Sequence, residues 1–321
     1  MATYKPKKML TATAPSPLAR LPRYTRADRY PPLQLGRPHC LLLGALGRFH
    51  YLSAPQLTRL LYSPGSLTYV QEHLKRLFHA HYVERVYLPT ITPHGSSLAV
   101  YTLASEGIAY LKRAGLAPEG RFRPSEQAHR EWLFLRHTLE ANELLISAHR
   151  LARAHAEITV AQMKCERELK HAPVYVQAGK ERIGVVPDGW IDVRFDDLQA
   201  CVAFELDRDT VEREAFRRKV RGLLAYADGP YAAAFGTSSL TIAVVTTAGE
   251  RRMTELLTWT QHEFIERDAR EQADLFRFAA FDPAATDPHA IFFAPLWRRP
   301  FDPAPLPLLN VDPSTLGRSH A

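Results

Sequence analysis

Val202-Ala203-Phe204-Glu205-Leu206-Asp207 reads as an apolar strand that ends on two acids. Strand side chains alternate, so Glu205 and Asp207 share one face. Upstream, Val185-Val186-Pro187-Asp188-Gly189-Trp190-Ile191-Asp192 enters another strand, on which Asp188 and Asp192 share a face. Antiparallel pairing of the two would bring Asp188 beside Glu205. Carboxylates that converge at a strand end repel one another unless a cation lies between them, and such a hard oxygen set suits Mg²⁺ or Mn²⁺. An ion of that kind activates water and stabilises phosphoryl transfer. Plainer readings stand beside this one. Pro187-Asp188-Gly189 is a turn signal, Asp192 fits an exposed strand position, and Asp207 fits a cap or an arginine partner. Glu205, between Phe204 and Leu206, is hardest to dismiss, because a buried carboxylate needs a partner.

Working outward, a helix is expected over about Thr210–Ala227. It carries Arg217-Arg218-Lys219-Val220-Arg221, with Lys219 and Tyr226 seven residues apart on one face. Lys219 reads either as a cation serving the acids or as part of a solvated charged face. A long helix is expected from about Ser125 to His155. Its Glu140 is the candidate to complete a metal site with Asp188 and Glu205; the alternative is an ordinary charged surface, with His137 a core histidine. Strands at Ile158–Met163, Ile183–Phe195, Ala200–Leu206, Leu240–Thr246 and Leu275–Phe281, with a helix at Gly249–Asp268, complete an α/β pattern.

The first half of the chain has a different character. Residues 1–125 hold 17 Lys and Arg against 5 Asp and Glu, whereas the remainder holds 24 against 29. A basic half attracts polyanions. Nine of those seventeen cations lie in the first 48 residues, much of which reads as a basic, disordered arm. After the arm come helices at Pro38–His50, from Ser53 and from Ser66, then strands Val83–Leu88 and Leu98–Leu103 and a closing helix at Ser105–Ala114. Ser53-Ala54-Pro55-Gln56 is a capping box. Three helices and a hairpin are winged-helix order, with a wing at Thr90–Ser97. The third helix buries Leu67, Val70, Leu74, Leu77 and Phe78 and presents Thr68, Tyr69, Lys75, Arg76 and His79, the candidate DNA-binding residues. A protein-docking module is the competing reading, and the basic balance favours DNA.

Pro187-Asp188 followed by Phe204-Glu205-Leu206-Asp207 is similar to the active-site pattern of the PD-(D/E)xK nucleases. The string Glu205-Leu206-Asp207-Arg208-Asp209-Thr210, followed by a helix with Lys219 and Tyr226, resembles the plasmid replication-relaxation family. That resemblance also takes in the N-terminal winged helix, the helix with His137, and Pro295-Leu296-Trp297, over roughly residues 38–300. It implies an α/β (α+β) protein: a winged helix-turn-helix followed by a PD-(D/E)xK restriction-endonuclease-like domain. It further implies a role in replication or relaxation of plasmids or mobile elements. The catalytic candidates are then Asp188, Glu205 and Lys219, with Mg²⁺ or Mn²⁺ as cofactor. The nuclease pattern puts lysine two residues after the second acid, where this chain has Asp207; the resemblance allows a lysine moved to the next helix, and Lys219 is the candidate.

The expected organisation is a basic arm over 1–37, the winged helix over 38–115, a linker, the nuclease-like domain over 125–300, and a Pro-rich tail over 301–321. Three functions stand open: a divalent-metal-dependent DNA endonuclease or relaxase, a non-catalytic DNA-binding regulator or replication initiator with a degenerate nuclease-like domain, and a protein-docking adaptor. The expected partners are double-stranded DNA and replication or mobilisation proteins, with no membrane. Three scattered cysteines, Cys40, Cys165 and Cys201, argue against a disulfide framework and fit a cytoplasmic setting.

Overall fold

Ser53 and Gln56 form the expected reciprocal cap. Gln56 N donates to Ser53 Oγ at 3.3 Å, and Ser53 N donates to Gln56 Oε1 at 3.0 Å. This cap starts the second helix of a computed structural model that describes residues 24–89, 97–118, 130–195 and 198–310. The first unit runs α1 (Arg37–Phe49), β1 (Leu52–Ser53), α2 (Ala54–Leu61), α3 (Leu67–His79), β2 (Val83–Tyr87), β3 (Ala99–Leu103) and α4 (Ser105–Arg113). Its three-stranded sheet has the order β1-β3-β2 and is antiparallel throughout. The expected wing at 90–97 lies almost wholly outside the described residues, as do most of the expected linker and the tail beyond residue 310.

Helix α4 closes this unit against the turn before β2. A Cβ on Gly107 would lie 2.2 Å from the carbonyl oxygen of Tyr82 and 3.1 Å from Leu103 Cδ2, so only glycine lets the helix sit this close. Gly107→Ala is expected to cost about 1–3 kcal/mol, the range typical of overpacking, read as a lower urea midpoint. An unchanged midpoint would mean that α4 does not rest on Tyr82.

The second unit is built on α5 (Trp132–Ala154), a helix about 35 Å long at 1.5 Å per residue. It continues with β4 (Ile158–Cys165), α6 (Glu166–His171), β5 (Val174–Ala178), β6 (Glu181–Val185), β7 (Gly189–Phe195), β8 (Leu198–Asp207), α7 (Arg213–Ala227), α8 (Pro230–Phe235), β9 (Thr241–Thr246), α9 (Glu250–Arg267), β10 (Phe276–Ala280), α10 (Pro288–Phe293), β11 (Trp297–Arg299) and β12 (Asp302–Leu306). Seven strands form one mixed sheet in the order β12-β11-β10-β9-β8-β7-β4. Strands β8, β9 and β10 are parallel, and β4, β7 and β8 pair antiparallel. The chain is therefore mixed α/β. Val202, Phe204 and Leu206 turn one face of β8 toward α5 and α10, while Ala203 on the other face packs with α7 and α9.

Two expectations about this unit are corrected. Residues 183–195 do not form one strand. Val186-Pro187-Asp188 interrupts them, and β6 pairs instead with β5 in a separate hairpin. The Pro-rich tail is structured at its start: β12 pairs antiparallel with β11 at the sheet edge, and Leu308 and Leu309 are buried. Proline is tolerated on an edge strand because its missing N–H faces away from any partner.

Helix α5 joins the two units through one hydrophobic core and a set of polar ties. Asn142 donates to Phe49 O and Tyr51 O at 3.2 and 2.9 Å, satisfying a carbonyl at the end of α1. Gln56 Nε2 donates to Leu139 O at 2.7 Å, and Arg59 forks onto the buried Glu143 at 2.7 and 2.9 Å.

Candidate functional site

Strand β7 begins at Gly189, which pairs with Phe204, so Asp188 stands one step beyond the ladder, opposite Glu205. Asp188 N donates to Phe204 O at 2.9 Å, and the Asp188 carboxylate accepts from Leu206 N at 2.8 Å. The end of the strand thus fixes one acid by its own backbone. Glu205, 2% exposed, comes from β8, and its carboxylate is bound by the Lys219 ammonium from the second turn of α7. Asp188, Glu205 and Lys219 are therefore brought together, and the lysine comes from the helix rather than the strand.

Two residues not chosen as site candidates join them. His137 on α5 donates through Nε2 to Leu206 O at 3.3 Å and lies 3.5 Å from Asp188 Oδ2. Glu166, in the first turn of α6, comes close enough that ligand atoms of His137, Glu166 and Asp188 all lie within 4.8 Å of one another. Glu166 also holds Lys170. Its signal in the sequence is slight: an acid at the start of a six-residue helix that follows β4.

The charges of this cluster divide unevenly, as like charges in low dielectric must. Burial would raise the Asp188 carboxyl, but the Lys219 charge, the His137 imidazole and the Leu206 N–H outweigh it and hold it below the usual range. Burial pushes Glu205 up, and the neighbouring Asp188 charge adds to this, against the pull of Lys219. Burial also works against the charged forms of His137 and Lys219. Asp188 nonetheless carries His137 up to about 9, and Glu205 with Asp188 holds Lys219 above its ordinary value. The result is one firmly ionised acid, one acid displaced toward neutral pH, and two cations facing them.

The other acids have different partners. Asp207 accepts a bidentate pair from Arg252 at 2.9 and 3.1 Å, takes Asp209 N at 2.9 Å and Thr246 Oγ1 at 3.3 Å, and is buried. Asp192 accepts from Arg194 and Gln199. Glu140, expected to complete the metal set, turns to Arg208 at 3.0 Å and Thr247 at 3.3 Å instead, and is not among the groups gathered around Asp188.

On α3, Thr68, Tyr69 and Arg76 are exposed and Lys75 is half-buried, with Glu72 near Lys75 at 3.7 Å and Arg76 at 3.5 Å. His79 does not belong with them. It is 0% exposed, stacked under Tyr30, and its Nδ1 accepts from Ala27 N at 3.1 Å. The arm covers it. Arg26 lies over the Phe78 ring at 4.4 Å, donates to Phe78 O and Val83 O, and pairs with Glu84 at 2.7 Å. The expected disordered arm is thus anchored over part of its described length, and His79 is its anchor point rather than a reading residue.

Among the described residues no helix is long and apolar enough to cross a membrane. No curated protein and no solved structure matches the chain significantly. The model of the replication-relaxation family matches residues 43–241, which take in α5, α6 and the whole Asp188–Glu205–Lys219 cluster but stop short of Pro295-Leu296-Trp297. With more than half its length matched, and with the cluster inside the matched stretch, the chain belongs to the replication-relaxation family.

Proposed function

We propose that the chain is a DNA-processing protein of plasmid or mobile-element replication or relaxation. In this reading a winged-helix unit holds duplex DNA with α3, and a PD-(D/E)xK nuclease-like unit cuts a strand at the Asp188–Glu205–Lys219 cluster. The observation that carries it is the Lys219 ammonium on Glu205 beside an ionised Asp188. Lys219 does what the missing strand lysine would do. Family membership supports the replication or relaxation setting.

The donor set fits a divalent ion. Asp188, Glu166 and His137 set their ligand atoms within 4.8 Å of one another, and the buried Glu205 stands opposite Asp188, an oxygen-rich set that suits Mg²⁺ or Mn²⁺. Asp188, Glu205 and Glu166 would hold it. When bound, such an ion supplies Lewis acidity for a phosphoryl oxygen. The protein's own groups do the rest. Leu206 N–H and His137 fix the Asp188 carboxylate, Glu205 keeps Lys219 aimed into the pocket, and Lys219 offers a donor to a non-bridging phosphate oxygen. Incubating supercoiled plasmid with the protein and Mg²⁺ or Mn²⁺ should yield nicked circles. Absence of nicking with both ions would leave the non-catalytic regulator or initiator, a reading favoured by Asp207 in the place of the strand lysine.

DNA binding is tested separately. Arg76 is exposed and its pairing with Glu72 is a surface one, so it can be captured by a base or phosphate. Arg76→Ala should weaken duplex binding by about 1–3 kcal/mol if it reads a base. Unchanged affinity in an anisotropy titration would remove α3 from the interface.

A further inference from the structure

The last turns of α5 and the end of α2 enclose a cleft of about 470 Å³ lined by Arg59, Arg150, Arg153, Tyr62 and Thr58, with Pro64 at its rim. No acid lines it. Glu143, behind the wall and buried, neutralises Arg59. Arg153 uses Nη1 to hold Arg59 O and Leu60 O at 3.2 and 3.1 Å, which fixes its guanidinium at the cleft edge. Arg150 has no ion pair or hydrogen bond with any described residue, and the Tyr62 hydroxyl is buried without a hydrogen-bond partner among them. Thr58 is spent on Ala54 O. What remains in the cleft is the guanidinium groups of Arg150 and Arg153, donors for an anion with several acceptor oxygens.

Tyr62 also packs edge-on against Tyr69, with ring centroids 5.6 Å apart, and Tyr69 belongs to the exposed face of α3. The cleft is continuous with the face assigned to DNA. We infer that it is a phosphodiester-binding pocket, in which Arg150 and Arg153 take a backbone phosphate of the duplex that α3 engages. The inference rests on the DNA-binding reading above and extends it from α3 onto α5. Helix α5 would then grip DNA at its C-terminal end and carry His137, beside the acids, nearer its start, so that one rigid helix sets the distance between grip and cut.

Arg150 gives the clean test, because it has no described protein partner to lose. In the full-length protein, Arg150→Gln is expected to leave the thermal unfolding midpoint unchanged. It should weaken duplex binding roughly fivefold at low salt and lower the slope of log K against log salt by about 1, the signature of one lost phosphate contact. Arg150→Lys should restore most of both. Unchanged affinity and slope in Arg150→Gln, alongside weakened binding by Arg76→Ala, overturns the pocket and leaves the α3 reading standing. No duplex binding by the wild-type protein overturns both. If inorganic pyrophosphate stabilises the wild-type protein but not Arg150→Gln, while duplex affinity is the same for each, the pocket takes a free anion and its assignment to DNA falls.

Discussion

Glu205→Gln and Asp188→Asn are each expected to remove metal-dependent nicking, by on the order of 10³-fold, without loss of duplex binding. The amide replacements are chosen for what they keep. An amide at position 188 still presents an oxygen to Leu206 N–H, and one at position 205 still presents an oxygen to Lys219. Each removes one charge from a cluster in which Lys219 and His137 face Asp188 and Glu205. Lys219→Ala should fall as far, since it leaves Glu205 buried with no cation on it. Parallel circular-dichroism melts and anisotropy titrations on the same preparations separate chemistry from folding. Nicking that survives in both acid variants would move the chemistry elsewhere. Joint loss of nicking, binding and a cooperative melt would show that the cluster holds the fold and not a reaction.

Glu140 and Glu166 show how far a single helix can be read alone. Glu140 sits near His137 on α5 and has the type and spacing of a ligand, but Arg208, directly after β8, captures it. Glu166 enters from a short helix whose position depends on where β4 ends, which no local periodicity announces. Arg208 and Glu166 are placed by the tertiary fold, and it decides which acid reaches the cluster.

Other elements are legible because their signals are local. The Ser53–Gln56 cap and the apolar face of α3 from Val70 to Phe78 depend on neighbours within a few residues and appear where periodicity and cap chemistry place them, whereas Leu67, at the start of α3, is exposed instead of joining that face. The pairing of Asp188 with Glu205 follows from the register of two adjacent antiparallel strands. His79 fails for the opposite reason. It lies toward the polar side of α3 by spacing, yet a segment about fifty residues upstream covers it. Strand β12 fails because proline composition reads as coil until an edge partner is known.

Asp207 is expected to give the largest loss of stability. It occupies the position where the nuclease pattern would put lysine, and it is committed elsewhere. Arg252, itself 7% exposed, forks onto both of its oxygens and reaches Val211 O at 2.6 Å, which ties α9 to the segment between β8 and α7. Without Asp207, Arg252 keeps only the more exposed Asp209 and Glu255, at 3.3 Å each, and breaking a buried, hydrogen-bonded ion pair typically costs about 3–5 kcal/mol. Asp207→Ala should therefore lower the stability of the full chain by about 3–5 kcal/mol in urea unfolding, well beyond Glu205→Gln. Asp207→Lys, which nominally rebuilds the nuclease motif, should be worse. It sets a second buried cation against Arg252, and it should not rescue nicking in a Lys219→Ala background. The converse result, a stable Asp207→Ala protein that has lost only nicking, would place Asp207 in the reaction and make Arg252 its positioning residue. A stable, active Asp207→Lys, Lys219→Ala double variant would show that the strand position is still able to supply the lysine, and that the helix position is not required.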